Sequence, residues 1–295
     1  MNTKTKGIVS YLVLAFGLAW ILWEIPIRLG LEPESQLFQA AILPGAFSPA
    51  ISAIIVRKWI TGEGFTDAGF RLHFRKWPYY LVAWLLPLMV VGVIILLASL
   101  FDIASPDFTT ERALKTILPE GVEPPGSYPS TVLMLIPLQL LFTALLATPV
   151  LWGEEFGWRG YLQLRLFADR PVLAAVSTGI IWGIWHYPVN LRGYNFPEHP
   201  VAGLIVFPVS TVILSVIFGW LRLRSGSIWT ASLAHASTNA VGGSLIMLYF
   251  AGGADMLFVG YTGLLAWIPL GLFALWIILA GRMKPHVPED TGNGK

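Results

Sequence analysis

Long apolar stretches divide the chain into segments of the length that crosses a bilayer. A helix needs about 20 apolar residues for one crossing, and such stretches lie at 8–27, 37–56, 79–101, 132–165, 171–191, 201–221, 227–250 and 257–280. The pattern predicts an all-α membrane protein, a bundle of about eight transmembrane helices without a soluble domain. The stretch 132–165 is long and contains Pro149, so we expect it to be tilted, kinked or split.

The composition agrees with an environment of lipid. Of the 295 residues, 55% are hydrophobic and 12% are charged, whereas soluble domains carry about 25% charged residues. A net charge of +2 is too balanced for a nucleic-acid partner, which needs a basic patch. The absence of cysteine excludes a disulfide framework, a thiolate nucleophile and a cysteine-ligated zinc site.

The basic residues predict the orientation in the membrane. Eight crossings place both termini on one side, and only Arg28, Arg112, Lys115 and Arg192 of the 19 lysines and arginines fall on the other. Because cytoplasmic loops are enriched in positive charge, we expect both termini to be cytoplasmic. The expected location is the plasma membrane of a prokaryote. The longest connection, Asp102 to Ser130, should be an external loop with a short amphipathic helix near Thr110 to Leu118.

Ionisable residues inside the apolar stretches are the candidates for chemistry, because each costs roughly 2.5–3.5 kcal/mol in hydrocarbon. Once Glu24 and Asp255 near span ends are set aside, the remaining ones are Glu154, Glu155, Arg159, His186 and His235. At ~1.5 Å per helical residue, Glu154 and His235 lie about 16 Å and His186 about 24 Å from the nearest cytoplasmic basic residue. All three segments could therefore meet near mid-bilayer.

Helical spacing suggests a role for each polar group. Glu155 and Arg159 are four apart and can pair, which leaves the adjacent Glu154 pointing elsewhere and available as a base. His235 and Asn239 are also four apart and can present hydrogen-bond donors to one point, as an oxyanion requires. Each group alone has a structural explanation, since ion pairs and histidines also join membrane helices, so only their combination favours catalysis.

Other patterns favour packing over chemistry. Gly153 and Gly157, like Gly179 and Gly183, have the GxxxG spacing of closely packed membrane helices. Tryptophans near predicted span ends are expected in the interfacial aromatic belts, and these are Trp20, Trp23, Trp77, Trp220 and Trp229.

Three motifs resemble those of the CPBP family, which comprises CAAX proteases and bacteriocin-processing enzymes and includes the type II CAAX prenyl endopeptidases. The family motif EExxxR is met by Glu154–Arg159, FxxxH by Trp182–His186 and HxxxN by His235–Asn239. The resemblance covers roughly residues 145–243. Trp182 stands where the family has phenylalanine, and we expect this change to repack an aromatic contact without loss of chemistry.

The resemblance implies a membrane-embedded endopeptidase, a hydrolase of the metalloprotease class by family name. Its substrate would be a membrane-associated peptide or a lipidated protein. Glu154 and His186 would activate a water molecule, and His235 with Asn239 would stabilise the oxyanion. Glu155, Arg159 and Trp182 would support these groups.

The resemblance also implies a domain division and raises the question of a cofactor. Residues 1–130 would form the N-terminal helices and the external loop, 131–285 the catalytic core, and 286–295 a flexible cytoplasmic tail. No cofactor is certain. A divalent metal such as zinc would take Glu154, His186 and His235 as ligands, but the zincin motif HExxH is absent and we expect no obligatory tightly bound metal.

Two other functions remain compatible with the residues. A relative of bacteriocin-immunity proteins could bind a peptide through the same polar cluster without cleaving it. A proton-coupled transporter also uses buried glutamate and histidine, although no inverted repeat of the kind common in transporters is visible.

Overall fold

Every regular element in the described part of the chain is helical. The computed structural model describes residues 2–33, 35–109, 131–250 and 253–284. The amphipathic helix expected near Thr110 to Leu118 and the tail expected at 286–295 lie outside these residues. Within them, the prediction of an all-α protein is confirmed.

Helices of membrane-spanning length and composition are present in both halves of the chain. Among the residues that the structure describes, five helices are long and apolar enough to cross a bilayer: Thr3–Arg28, Gln36–Thr61, Phe74–Leu100, Leu135–Arg165 and Pro200–Ser225. The same residues include two shorter apolar helices, Pro171–Trp185 and Trp267–Leu279. The protein is therefore an integral membrane protein built as a helical bundle, as the apolar pattern predicted.

We number the helices along the chain. They are α1 (Thr3–Arg28), α2 (Gln36–Ala46), α3 (Ser48–Ile55), α4 (Trp77–Leu100), α5 (Thr131–Gly157), α6 (Pro171–Trp185), α7 (Tyr187–Asn190), α8 (Pro200–Ser225), α9 (Ile228–Ser237), α10 (Ser244–Phe250), α11 (Met256–Val259) and α12 (Trp267–Leu279). Short 3₁₀ turns lie at Thr66–Ala68 and Phe74–Lys76, and the final turn after α5 is Gln163–Arg165.

Within the described ranges, three turns of π-helix interrupt or extend these helices. They lie at Val56–Thr61 after α3, Trp158–Leu162 after α5 and Thr238–Gly243 between α9 and α10. The second contains Arg159 and the third contains Asn239. Single π-helical turns within α-helices are frequent at functional sites, and nothing in the apolar pattern predicted them.

Helix ends follow local sequence signals. The side chains of Asn2, Ser35 and Ser227 accept backbone N–H groups in the first turns of α1, α2 and α9, as N-cap residues do. Helix α8 ends at Gly226, whose φ of 74° lies in the left-handed region that glycine tolerates best.

The eighth predicted span, 257–280, is wrong as one continuous helix. The structure has the short helix α11, a turn, and then α12, whose 13 residues extend only about 20 Å. The turn requires glycine, because a Cβ atom on Gly263 would lie 2.7 Å from the carbonyl oxygen of Leu257. The fifth predicted span, 171–191, also ends earlier, at Trp185.

Helices α6 and α8 approach closely at the two glycines of a GxxxG pair. A Cβ atom on Gly179 would lie 2.5 Å from Cα of Val212, and one on Gly183 would lie 2.6 Å from Cα of Pro208. The hydroxyl of Thr211 donates to the Gly179 carbonyl at 2.9 Å. The packing expectation for this pair agrees with the structure, and the contact fixes helix α6, which His186 follows directly.

Two tryptophans assigned to an aromatic belt are instead buried. Trp23 is 2% exposed and Trp220 is 5% exposed. The indole of Trp23 donates to the carbonyl of Ile42 at 2.9 Å, and its ring lies 4.4 Å from that of Trp185. The belt prediction is wrong for these two residues because helix packing, not the bilayer interface, surrounds them.

A cluster of charged residues ties the connection after α3 to the π-turn after α5. Arg57, which is fully buried, donates to the Asp67 carboxylate at 2.8 Å and to the Gly160 carbonyl at 2.9 Å. Arg165 pairs with Glu63 and, at 3.2 Å, with Asp67. We call Arg57, Glu63, Asp67 and Arg165 the loop cluster. It holds the segment that follows Glu154 and Glu155.

Candidate active site

A cavity of about 960 Å³ opens within the bundle and receives polar side chains from three helical segments. Glu154 enters from α5, His186 from the end of α6, His235 from α9 and Asn239 from the π-turn after it. The structure thus brings all four predicted catalytic residues to the wall of one cavity. Most of the other lining residues are apolar.

Glu154 is held at the cavity wall by an indole. Its side chain is 7% exposed, and Nε1–H of Trp182 donates to its Oε2 at 2.9 Å. The neighbouring Glu155 is fully buried and faces a different set of groups. The two adjacent carboxylates therefore have separate environments, as the helical spacing predicted.

Glu155 joins two helices through one carboxylate oxygen. Its Oε1 accepts Nη1–H of Arg159 at 2.8 Å and lies 3.0 Å from Nδ1 of His235. Arg159 and Glu155 are both fully buried, and the guanidinium lies over the Trp182 ring at 4.6 Å from its centre. The Glu155–Arg159 pair was predicted from spacing, whereas the contact with His235 was not.

The contact with Glu155 restricts the hydrogen bonds that His235 can make. A carboxylate that already accepts an arginine N–H can only accept from the imidazole, so Nδ1 carries a proton. In neutral His235 the other nitrogen, Nε2, is then an acceptor. His235 can donate to an oxyanion only when both nitrogens are protonated, and the Glu155 carboxylate is placed to stabilise that imidazolium.

His186 can act as a hydrogen-bond acceptor, whereas His235 would act as a donor. It follows the last residue of α6, and its Nδ1 lies 3.0 Å from the carbonyl oxygen of Trp182. Because a carbonyl oxygen only accepts, Nδ1 is the protonated nitrogen and Nε2 keeps a lone pair in the neutral ring. The imidazole is held between aromatic rings, with those of Trp185 and Phe207 each 4.8 Å away.

Asn239 lies in the π-turn Thr238–Gly243 and lines the cavity. Asn239 is exposed, whereas His235 is buried, with 5% of its surface exposed. Thr238, next to it, also lines the cavity. An amide on the cavity surface can donate N–H groups to a group that enters, and the π-turn sets its direction.

The proposed metal ligands Glu154, His186 and His235 all line the cavity. Nδ1 of His235 bonds Glu155 and Nδ1 of His186 bonds the Trp182 carbonyl, so Nε2 of each ring is the nitrogen that could face an ion. Across the part of the chain that the structure describes, no group of three or more histidine, cysteine, aspartate or glutamate side chains is placed to hold an ion. We therefore derive no chemistry through a metal, and activity without one stays a prediction.

The cavity wall has few ionisable side chains. Among the described residues that line it, Glu154 and Glu198 are the acidic ones, and none is lysine or arginine. Trp23 and Phe207 also line it and contact the His186 ring. Sequence reasoning missed both as site residues, since single aromatic residues in apolar helices give no signal of their own.

A comparison with protein families covers the segment that contains these residues. Residues 129–241 match the family model described as Type II CAAX prenyl endopeptidase Rce1-like. The match includes Glu154, His186, His235 and Asn239. No curated protein matches the chain.

Proposed function

We propose that the chain is a member of the Rce1-like family of type II CAAX prenyl endopeptidases, whose model matches residues 129–241, and that it hydrolyses a peptide bond within the membrane. The family is one of intramembrane CAAX-type endopeptidases. The observation that carries the proposal for this chain is the meeting of Glu154, His186, His235 and Asn239 at one cavity inside an apolar bundle. Buried carboxylate and imidazole groups are costly in lipid and are retained where they act.

Glu154 is the base in the proposed reaction. Its carboxylate accepts a proton from a water molecule, and the water oxygen attacks the carbonyl carbon of the peptide bond. His186 supports this step because its unprotonated Nε2 can accept a hydrogen bond from the same water. Attack moves the carbonyl π electrons onto oxygen and produces a tetrahedral oxyanion.

His235 and Asn239 stabilise the oxyanion. The doubly protonated imidazole donates from Nε2, and the amide of Asn239 donates from its side-chain nitrogen. Collapse of the intermediate breaks the C–N bond, and the leaving nitrogen takes the proton from Glu154. The carboxylate is then restored, so the cycle consumes one water and one peptide bond.

The substrate is an apolar peptide segment associated with the membrane. The wall of the cavity is mainly apolar, and its volume of about 960 Å³ lies at the upper end of the ~300–1,000 Å³ usual for ligand sites. Such a wall suits uncharged side chains or a lipid-modified residue. A prenylated CAAX-type peptide and an unmodified membrane peptide both satisfy this chemistry.

Loss of the Glu154 carboxylate tests the proposal. Membranes from cells that express the wild type or Glu154→Gln are compared by quantitative mass spectrometry for shortened peptides, and a farnesylated fluorogenic CAAX peptide is tested with both purified proteins. We expect products with the wild type alone. Glu24→Gln is the control, because Glu24 pairs with Arg28 on an exposed face of α1. Equal hydrolysis by Glu154→Gln would remove Glu154 as the base, and identical peptides in all membranes would reject proteolysis.

A further inference from the structure

Trp182 contacts the proposed base through a group that phenylalanine does not have. We propose that Trp182 is a positioning residue of this enzyme, whose indole N–H orients the Glu154 carboxylate to accept a proton from the attacking water. The inference rests on the proposed function. It gives a specific contact to Trp182, which the sequence predicted only as a supporting aromatic residue that repacks in place of phenylalanine.

The hydrogen bond is specific and shielded. Trp182 is 3% exposed and Glu154 is 7% exposed, so little water competes for the contact of 2.9 Å between Nε1 and Oε2. The indole nitrogen can only donate, which makes Oε2 the acceptor. A glutamate side chain has three torsions, and fixing one oxygen leaves Oε1 in a defined place to accept the proton of water.

The indole is itself held in place. The guanidinium carbon of Arg159 lies 4.6 Å from the centre of the Trp182 ring, and the His235 ring meets it edge to face at 5.1 Å. Phe218 lies beside it at 6.1 Å. Trp182 therefore connects the proposed base to the Glu155–Arg159–His235 group, and it cannot turn away from Glu154 without breaking these contacts.

Trp182 makes its second contact with the site through its backbone. The carbonyl oxygen that accepts Nδ1–H of His186 is present whatever the side chain is. Trp182→Phe therefore removes the indole N–H from Glu154 while keeping the His186 contact and an aromatic face for Arg159. The substitution isolates one hydrogen bond.

Steady-state kinetics of purified Trp182→Phe on the peptide cleaved by the wild type tests the inference. Because a hydrogen bond to a charged group is lost, we expect kcat to fall by about tenfold or more. KM should change by less than about twofold, because the substrate contacts remain. The matched control is Trp84→Phe, which removes an indole N–H bond to the Leu141 carbonyl of 2.8 Å away from the cavity. It should match Trp182→Phe in lost stability and keep the wild-type kcat.

A double-mutant cycle shows whether Trp182 acts through Glu154. Glu154→Asp shortens the side chain by one methylene and withdraws the carboxylate from the indole. In that background Trp182→Phe should lower kcat by less than about twofold, because the bond it removes is already broken. Independent, multiplying effects of the two substitutions would overturn the inference.

The outcomes separate this inference from the proposed function. A wild type that cleaves no peptide rejects the proposed function and this inference with it. A wild type that cleaves, together with a Trp182→Phe variant of equal kcat, rejects only the role of Trp182. If Trp182→Phe does not fold, benzothienylalanine at position 182 replaces the indole N–H by sulfur in the same shape, and the same fall in kcat is expected.

Discussion

His235 and Glu155 are 80 positions apart in the chain, and Nδ1 of the imidazole lies 3.0 Å from Oε1 of the carboxylate. The contact joins α9 to α5 inside the bundle. The same oxygen accepts Nη1–H of Arg159, so one buried carboxylate neutralises a guanidinium and orients an imidazole. The second glutamate of the motif thus has a structural task distinct from that of Glu154.

Glu155→Gln should destabilise the protein and also abolish hydrolysis. The amide leaves the charge of the fully buried Arg159 without its counter-ion, and loss of one partner from a buried pair costs about 3–5 kcal/mol. We expect a lower midpoint of thermal unfolding in detergent, followed by tryptophan fluorescence. Glu154→Gln is the comparison, since Glu154 is bonded to a neutral indole, and its midpoint should move much less. A Glu155→Gln protein as stable as the wild type would show that the pair does not hold α5 and α9 together.

Asn239→Ala should lower kcat with little effect on folding. Removal of one oxyanion donor costs about 10²–10³ in kcat, while truncation of an exposed side chain changes the free energy of unfolding by about 0.5 kcal/mol or less. Kinetics and thermal unfolding of the same preparation separate the two effects. An Asn239→Ala variant with the wild-type kcat would leave His235 as the sole proposed oxyanion donor.

The parts of the site that sequence could predict are those set by local periodicity. The apolar stretches located the helices, and the spacing of Glu155 and Arg159 predicted their ion pair because residues four apart lie on one face of a helix. The order of polar segments and their depths also suggested that Glu154 and His235 could meet. These arguments need only the rise of a helix and the cost of charge in lipid.

Other parts depend on how helices pack, which the sequence did not determine. The Glu155–His235 contact depends on how α5 and α9 are rotated relative to each other. The hydrogen bond from the Trp182 indole to Glu154 depends on how deep α6 lies in the bundle. The π-turn that contains Asn239 has one extra residue per turn. The apolar pattern cannot distinguish such a turn from an α-helix. The broken last span has a similar origin, since the turn at Gly263 depends on a backbone contact.

The loop cluster should give the protein a loss of stability in acid. Burial alone would raise the pKa of Glu63, but hydrogen bonding and charge from Arg165 outweigh it and hold that pKa below its usual 4.5. Burial likewise raises the pKa of Asp67, and the hydrogen bond and charge of Arg57 more than offset it, so it lies below 3.8. A lowered folded-state pKa stabilises the fold above the usual carboxyl pKa, and the gain is lost as pH falls through the lower value.

Thermal unfolding midpoints measured from pH 6 downwards test this dependence. The unfolding midpoint of the wild type should fall once the pH is below about 4.5, the range in which these carboxylates begin to protonate. A Glu63→Gln, Asp67→Asn double variant should have a lower midpoint at pH 6 and should lose less of it as the pH falls. High salt should reduce the difference, because both carboxylates are partly exposed and such pairs are screened. Glu32→Gln is the control for loss of an exposed carboxylate. Parallel pH curves for the wild type and the double variant would show that the loop cluster is not the acid-sensitive element.

Gly183→Ala should impair both stability and hydrolysis by forcing α6 away from α8. The new Cβ atom would lie 2.6 Å from Cα of Pro208 and 2.7 Å from Oγ1 of Thr211, and backbone atoms cannot yield as a flexible side chain can. Overpacking of this kind costs about 1–3 kcal/mol. His186 follows three residues later, so the displacement should also lower kcat/KM.

Gly17→Ala is the matched control for this substitution. A Cβ atom on Gly17 meets nothing within 4 Å, and alanine in a helix is more stable than glycine by roughly 0.5–1 kcal/mol, so this variant should unfold at or above the wild-type midpoint with unchanged kinetics. Gly183→Ala should lower both the unfolding midpoint and kcat/KM. If Gly183→Ala keeps the wild-type midpoint and kcat/KM, the close approach of α6 and α8 is not what places His186 at the cavity, and its ring contacts with Trp185 and Phe207 would have to position it instead.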